Sequence, residues 1–398
     1  MTLKVNKKEI LIALMLIPFF TFAVGLKWPI LGTIISVGRI CVLAVSIFAL
    51  IFTNKIIKLL REPVFICILL YFVVLMASTY FNSLSIMNAV QLLMYGTAPF
   101  LVMATFWGKT DAKVILGGIN LTFTILIFAN LLIMLCFPEG IYQTISSGNI
   151  NKYFLFGAKN QMVAPLIIGL CFFAECSYRK YGKLSLFSFF KFGICVIELL
   201  IGGSGTGLAI TAIFFLILFL NKKNFRICRP NITLAIVVAL FFLIVIFEQQ
   251  NIFAFIIEDM LHKDITMSNR TFIWQAAIIS IIANPWIGQG VSDGLYGNVY
   301  LKLEYVEKDT FAHDMYLDVM VMGGLVAMVL FLSIIWLTKR NYGKIHSKNC
   351  FLWWALWLYL VASLFDIYTG NYCMFIVMAY ILTKKVSDTD KRKQLQRR

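Results

Sequence analysis

The chain has 398 residues, 61% of them apolar and 14% charged, with a mean hydropathy of +0.86. A soluble chain of this length needs far more polar surface, so a water-soluble globular protein is excluded. The formal charge of +16 is divided among short Lys/Arg clusters between apolar runs, which is how topology signals are placed and argues against a nucleic-acid partner.

Taken in chain order, apolar runs fall at 9–26, 29–53, 63–80, 84–107, 113–137, 161–177, 186–203, 206–220, 231–249, 314–337, 350–366 and 370–383. In lipid each run must satisfy its own backbone, which selects helices, and the alternation of a membrane barrel is absent. The expectation is an all-α, polytopic membrane protein of about 12 transmembrane helices with one large extracytoplasmic loop. Residues 1–383 form its single transmembrane domain, with the loop at 250–312, and 384–398 form a basic cytoplasmic tail. The first run follows Lys7 and Lys8 without a small-residue cleavage pattern and reads as a retained helix.

Charge fixes the expected orientation. Every second gap is basic: Lys55, Lys58 and Arg61; Lys109 and Lys113; Arg179, Lys180 and Lys183; Lys222, Lys223, Arg226 and Arg229; Lys339, Arg340, Lys344 and Lys348. The intervening gaps are poor in Lys and Arg, so both termini are expected in the cytoplasm and the 250–312 loop outside. Nine cysteines, mostly within apolar runs, show no zinc-ligand spacing and read as small buried hydrophobes. Trp353, Trp354 and Trp357 read as an interfacial belt, and Lys191 as a side chain that snorkels to the inner face.

Two outside segments interrupt the helices. Pro138 to Asn160 is Gly/Ser/Asn-rich and reads as a loop. The hairpin Gly202-Gly203-Ser204-Gly205-Thr206-Gly207 offers hydroxyls and backbone amides that suit an anion, or is simply a tight turn.

His313 is the candidate base. It stands where the polar loop meets the next helix, and a neutral imidazole can take a proton from a hydroxyl. Asp314 or Asp318 is available to orient it, although neighbours at i and i+1 on a helix do not face each other. A helix cap or membrane anchor is the plainer role for such a histidine. Arg270 opens an apolar-faced run and can grip a pyrophosphate in bidentate fashion, or contact lipid headgroups. Arg39 and Glu198 lie inside apolar runs, where charge usually faces a cavity, partner or substrate path.

These residues resemble the bacterial O-antigen ligase and polymerase superfamily, which includes Wzy-like polymerases. Arg270 to Trp274 is similar to the family's Arg-x-x-x-Trp, and Asn284-Pro285-Trp286-Ile287-Gly288-Gln289-Gly290 to its Asn-Pro-x-x-Gly-x-Gly turn. Ala312-His313-Asp314-Met315-Tyr316-Leu317, with Gly324 eleven positions after His313, is similar to its Ala-His-Asn-x-Tyr-Leu helix. Lys159-Asn160-Gln161 matches an Asn-containing helix start. The family's Ser-Arg-x-Gly aligns with Ser204-Gly205-Thr206-Gly207, so the Arg is replaced by Gly205 and Arg39 or a lysine is left to substitute.

The resemblance implies a GT-C-like, metal-independent glycosyltransferase with no cofactor. It would join polyprenyl-diphosphate-linked oligosaccharide repeat units at the outer face of the bacterial cytoplasmic membrane. His313 and Asp314 would be catalytic; Arg270, Arg39, Ser204, Thr206, Lys159 and Asn160 would bind substrate. Its partners would be the lipid-linked oligosaccharide and the bilayer, with a chain-length regulator and a flippase as further candidates. A ligase that moves finished glycan to a lipid or protein acceptor is the alternative, and a polysaccharide transporter or flippase the second. The missing internal repeat weighs against transport.

Overall fold

The computed structural model describes residues 6–20, 27–146, 149–221, 229–247, 270–291, 312–345, 351–366 and 373–396. Most of the 250–312 loop lies outside the described residues, including His262, Lys263, Lys302 and Lys308, as does His346.

The described chain is built of helices with one small sheet. In order come α1 (Lys7–Leu16), α2 (Pro29–Phe52), α3 (Lys55–Leu60), α4 (Pro63–Phe81), α5 (Ile86–Thr105) and α6 (Ala112–Cys136). Strands β1 (Tyr142–Ser146), β2 (Asn149–Phe154) and β3 (Gly157–Ala158) follow. Then come α7 (Val163–Tyr181), α8 (Leu186–Gly202), α9 (Gly205–Asn221) and α10 (Pro230–Leu240), the last continued by a π-helical turn to Ile246. Helices α11 (Arg270–Ala283), α12 (Met315–Tyr342), α13 (Phe351–Ala362) and α14 (Cys373–Gln396) complete it.

Local chemistry sets the helix ends. Asn6 and Glu9 form a reciprocal capping box at α1, and proline opens α2, α4 and α10, where its missing N–H loses nothing. Asp111 and Ser185 cap α6 and α8 through their side chains. Gly182 and Gly203 end α7 and α8 in the left-handed conformation that glycine adopts without strain.

Helices α2, α4, α5, α6 and α12 are long and apolar enough to cross a membrane; α9, α10, α11 and α13 are shorter apolar helices. The chain is a helical membrane protein. All twelve residues of α13 are buried, as expected of a helix that is apolar all round and sits in the middle of the protein. It packs on α7, α9 and α14. Helix α2 instead turns Ile30, Ile34, Phe48 and Phe52 outward, the apolar exterior suited to lipid.

Three expectations are corrected here. The Pro138–Asn160 segment is not a plain loop: β1, β2 and β3 pair antiparallel in that order, with Tyr142 opposite Tyr153 and Phe154 opposite Gly157. Trp353 and Trp354 are fully buried, not interfacial, and Trp353 donates its indole N–H to Thr233 at 2.7 Å. Lys191 does not snorkel; it is buried between α6 and α8 and donates to Thr124 at 2.8 Å. Helix α14 runs unbroken to Gln396, with Lys385 pairing with Glu62 and Asp390 with Lys58.

Candidate functional site

The site forms where three chain segments converge: the start of α11, the start of α12 and the end of α13. Asp314 is extended and caps α12, its Oδ1 accepting from the amides of Tyr316 and Leu317, both at 2.8 Å. The Met315 amide donates to the Ser363 carbonyl at 2.9 Å, and the Tyr316 hydroxyl to the Leu360 carbonyl at 2.9 Å. These bonds sew the first turn of α12 onto the end of α13. Arg270, buried at the start of α11, donates to the Phe365 carbonyl just beyond α13.

His313 is held between these fixed points with φ of +49°. A non-glycine residue in the left-handed region is strained, and such strain persists where the surroundings over-determine it, often at functional sites. Its side chain is 32% exposed, and its Nδ1 lies 3.6 Å from Oδ1 of Asp366. That is ion-pair range and longer than a direct hydrogen bond, a gap that one shift of the ring or one water closes. Asp314 therefore caps the helix, and the carboxylate facing the imidazole is Asp366.

Burial pushes the Asp314 carboxyl up to about 8, against the lowering by the Leu317 and Tyr316 amides and by Arg270. One helical turn on, Asp318 is fully buried, and neither of its carboxyl oxygens has a hydrogen-bond partner among the described residues.

The Asn284–Gly290 turn has a different part. It docks against α12 far from His313: the Gln289 and Gly290 amides donate to the Val321 and Met322 carbonyls at 2.7 and 2.9 Å, and the Leu325 amide to the Pro285 carbonyl at 2.7 Å. The helix breaks there, with Gly324 at φ +63° and ψ −163°, a region open essentially to glycine alone. A Cβ on Gly288 would stand 2.5 Å from the Val321 carbonyl oxygen, and one on Gly324 would collide with the Trp286 carbonyl. Gly290 lies as closely on Thr79 of α4, whose hydroxyl receives the Val291 amide at 3.0 Å. The motif glycines make backbone-on-backbone contact possible; they fix the angle at which α11 meets α12.

The remaining sequence candidates fall elsewhere. Ser204 is buried, caps α9 through the Gly207 amide at 3.2 Å and meets Asn160 at 3.5 Å. Thr206 follows in the first turn of α9, and Lys159 is exposed beside Asn160. Beneath them Asn130 donates to the buried Glu198 at 2.7 Å and accepts the Phe156 amide at 3.4 Å, which ties the sheet to α6 and α8. Arg39 takes partners on other elements, donating to the Pro18 carbonyl at 2.8 Å and to the Tyr95 hydroxyl at 2.5 Å. The structure thus joins Arg270, His313 and Asp314, and separately joins Asn160 to Ser204.

Residues 190–332 match the family model described as O-antigen ligase. That match supports the resemblance to the O-antigen ligase and polymerase superfamily over this part of the chain. The O-antigen ligase match runs from α8 through most of α12 and contains the Ser204 hairpin, Arg270, the Asn284–Gly290 turn, His313 and Gly324. Asp366, Arg39 and Asn160 lie outside it. No curated protein matches the chain.

Sequence reasoning missed Asp366 and the Phe365 carbonyl. The available signal was a carboxylate at the end of the 350–366 run, on the side that charge bias assigns to His313.

Proposed function

We propose that the chain is a glycosyltransferase that polymerises polyprenyl-diphosphate-linked oligosaccharide repeat units at the outer face of a bacterial cytoplasmic membrane. It crosses that membrane about twelve times with both termini inside, as the alternating basic gaps imply. The observation that carries this reading is the convergence of Arg270, His313 and Asp366 at the junction of α11, α12 and α13.

The chemistry follows from the groups present. An acceptor sugar hydroxyl attacks the anomeric carbon of the donor, forming the new C–O bond. The bond from that carbon to the diphosphate oxygen breaks, and its electron pair leaves with the lipid diphosphate. The acceptor proton passes to His313, whose Nδ1 faces Asp366, which leaves Nε2 as the accepting nitrogen. Asp366 steadies the imidazolium that forms. Arg270, held by the Phe365 carbonyl, lies where a cation can offset the charge on the departing diphosphate. Asn160, Ser204, Thr206 and Lys159 form a second polar group suited to the glycan, and Arg39 remains a candidate for the lipid-linked diphosphate.

The description of the matching family favours a second reading, a ligase that transfers glycan to a separate acceptor. One assay separates the two. Purified protein is given a lipid-diphosphate repeat unit as its only sugar, and the products are resolved on a gel. A ladder supports polymerisation; transfer only when a different acceptor is added supports ligation. Undiminished transfer by Arg270→Ala would show that the diphosphate contact is misassigned.

A further inference from the structure

A second built site lies away from His313, where α6, α7 and α8 meet. A cavity of about 540 Å³ opens there, lined by Asn120, Phe173, Lys180, Lys183, Phe187 and Lys191 among others. That volume is within the range of about 300–1,000 Å³ usual for small-ligand sites. Three of its lining residues are lysines and none is acidic.

Lys191 is the unusual member. It is 4% exposed, and its ammonium donates to two neutral acceptors, Thr124 Oγ1 at 2.8 Å and Asn120 Oδ1 at 3.4 Å. The rings of Phe173 and Phe187 stand 4.3 and 4.7 Å from it. A buried charge normally has an opposite charge beside it, because desolvation is costly. Here hydroxyl, amide and aromatic faces hold the cation in place, and no carboxylate pairs with it among the described residues.

The rest of the cavity suits an anion. Helix α8 begins there with Ser185 as its cap, so the positive end of a long helix points at the opening. Lys180 and Lys183 stand at the rim, and Leu186 with the two phenylalanines offers an apolar wall.

We propose that this cavity binds a phosphate group, with Lys191 as its deep contact and Lys180 and Lys183 at its mouth. The apolar wall makes the headgroup of an anionic phospholipid the favoured source; a free phosphate is the other. The site is independent of the glycosyl-transfer reading and would stand without it.

The test uses the full-length protein in neutral detergent. Its melting temperature is followed by tryptophan fluorescence as short-chain phosphatidylglycerol, phosphatidylcholine or inorganic phosphate is added. Phosphatidylglycerol is expected to raise the melting temperature by several degrees at saturation while phosphatidylcholine does not. An equal effect of inorganic phosphate alone would support the site with free phosphate as its source. Equal shifts with both lipids, or no shift with any probe, would overturn the proposal. Lys191→Gln should weaken the apparent affinity by about tenfold or more. Should that variant not fold, the exposed pair Lys180→Gln and Lys183→Gln should weaken it by about fivefold per lysine. Unchanged affinity in whichever variant folds sinks the assignment.

Discussion

The turn at Asn284–Gly290 and the junction at His313 both engage α12, yet the first is built from backbone and the second from side chains. At the turn, Gly288 and Gly324 bring two main chains within hydrogen-bonding distance because neither carries a Cβ. At the junction, the main chain is pinned by Asp314, Ser363 and Arg270 so that one imidazole is presented in a strained conformation. Both stretches carry sequence motifs of equal visibility. The lesson is that a motif's residue type indicates its work: glycine marks an approach, whereas the half-buried histidine in the left-handed region is the proposed centre of the chemistry.

That contrast can be broken by mutation, and the largest effect should come from the junction. His313→Ala should lower transfer by about 100-fold or more, the usual weight of a general base, with the melting temperature unchanged because the side chain is partly exposed. A comparable loss of stability would place His313 with the structural residues instead.

Gly288→Ala should do the reverse. Left-handed backbone and a Cβ 2.5 Å from the Val321 oxygen together should destabilise by about 3 kcal/mol. Thermal melts would show it, and protein that still folds should keep its transfer rate per folded molecule. Loss of rate at full stability would put the turn in the chemistry.

Asp366→Asn should act between these extremes. It retains the size of the side chain but removes the charge facing Nδ1, so transfer should fall by about tenfold and the rate should rise with pH along an altered profile. An unaltered profile would reduce Asp366 to packing.

The smallest effect on transfer is expected at Asp314, which acts on stability instead. Its carboxyl is held at about 8 by burial, against an ordinary value of 3.8. Between those values the folded chain binds more protons than the unfolded one, so stability falls as pH rises through the window and levels off above it. Asp314→Asn keeps a cap acceptor and should flatten that slope, measured as melting temperature against pH. A slope that persists would assign it to another group.

How much of this was legible beforehand follows the same division. The apolar runs were readable because lipid leaves the backbone one local solution, although among the described helices only five are both long and apolar enough to count as spans. Arg270 and His313 were readable because loop boundaries and charge bias placed them on one side. Asp366 was not, since nothing local ties it to a residue more than fifty positions earlier; only the hydrogen bonds that join the start of α12 to the end of α13 do. The tryptophans of α13 misled for a related reason: Trp353 satisfies its N–H on Thr233 of α10, a partner that hydropathy cannot reveal. The small sheet was hidden by its Gly and Asn content, which reads as loop.

The course of α14 carries a consequence for assembly in the membrane. From Cys373 to Leu382 every side chain is buried, and the helix touches α5, α6, α7, α12 and α13. It is also the last of the described elements to leave the ribosome. The five helices it touches all precede it in the chain, so the packing among these described helices is complete only once α14 is in place. Ion pairs from Lys385 to Glu62 and from Asp390 to Lys58 then latch α14 to the junction of α3 and α4.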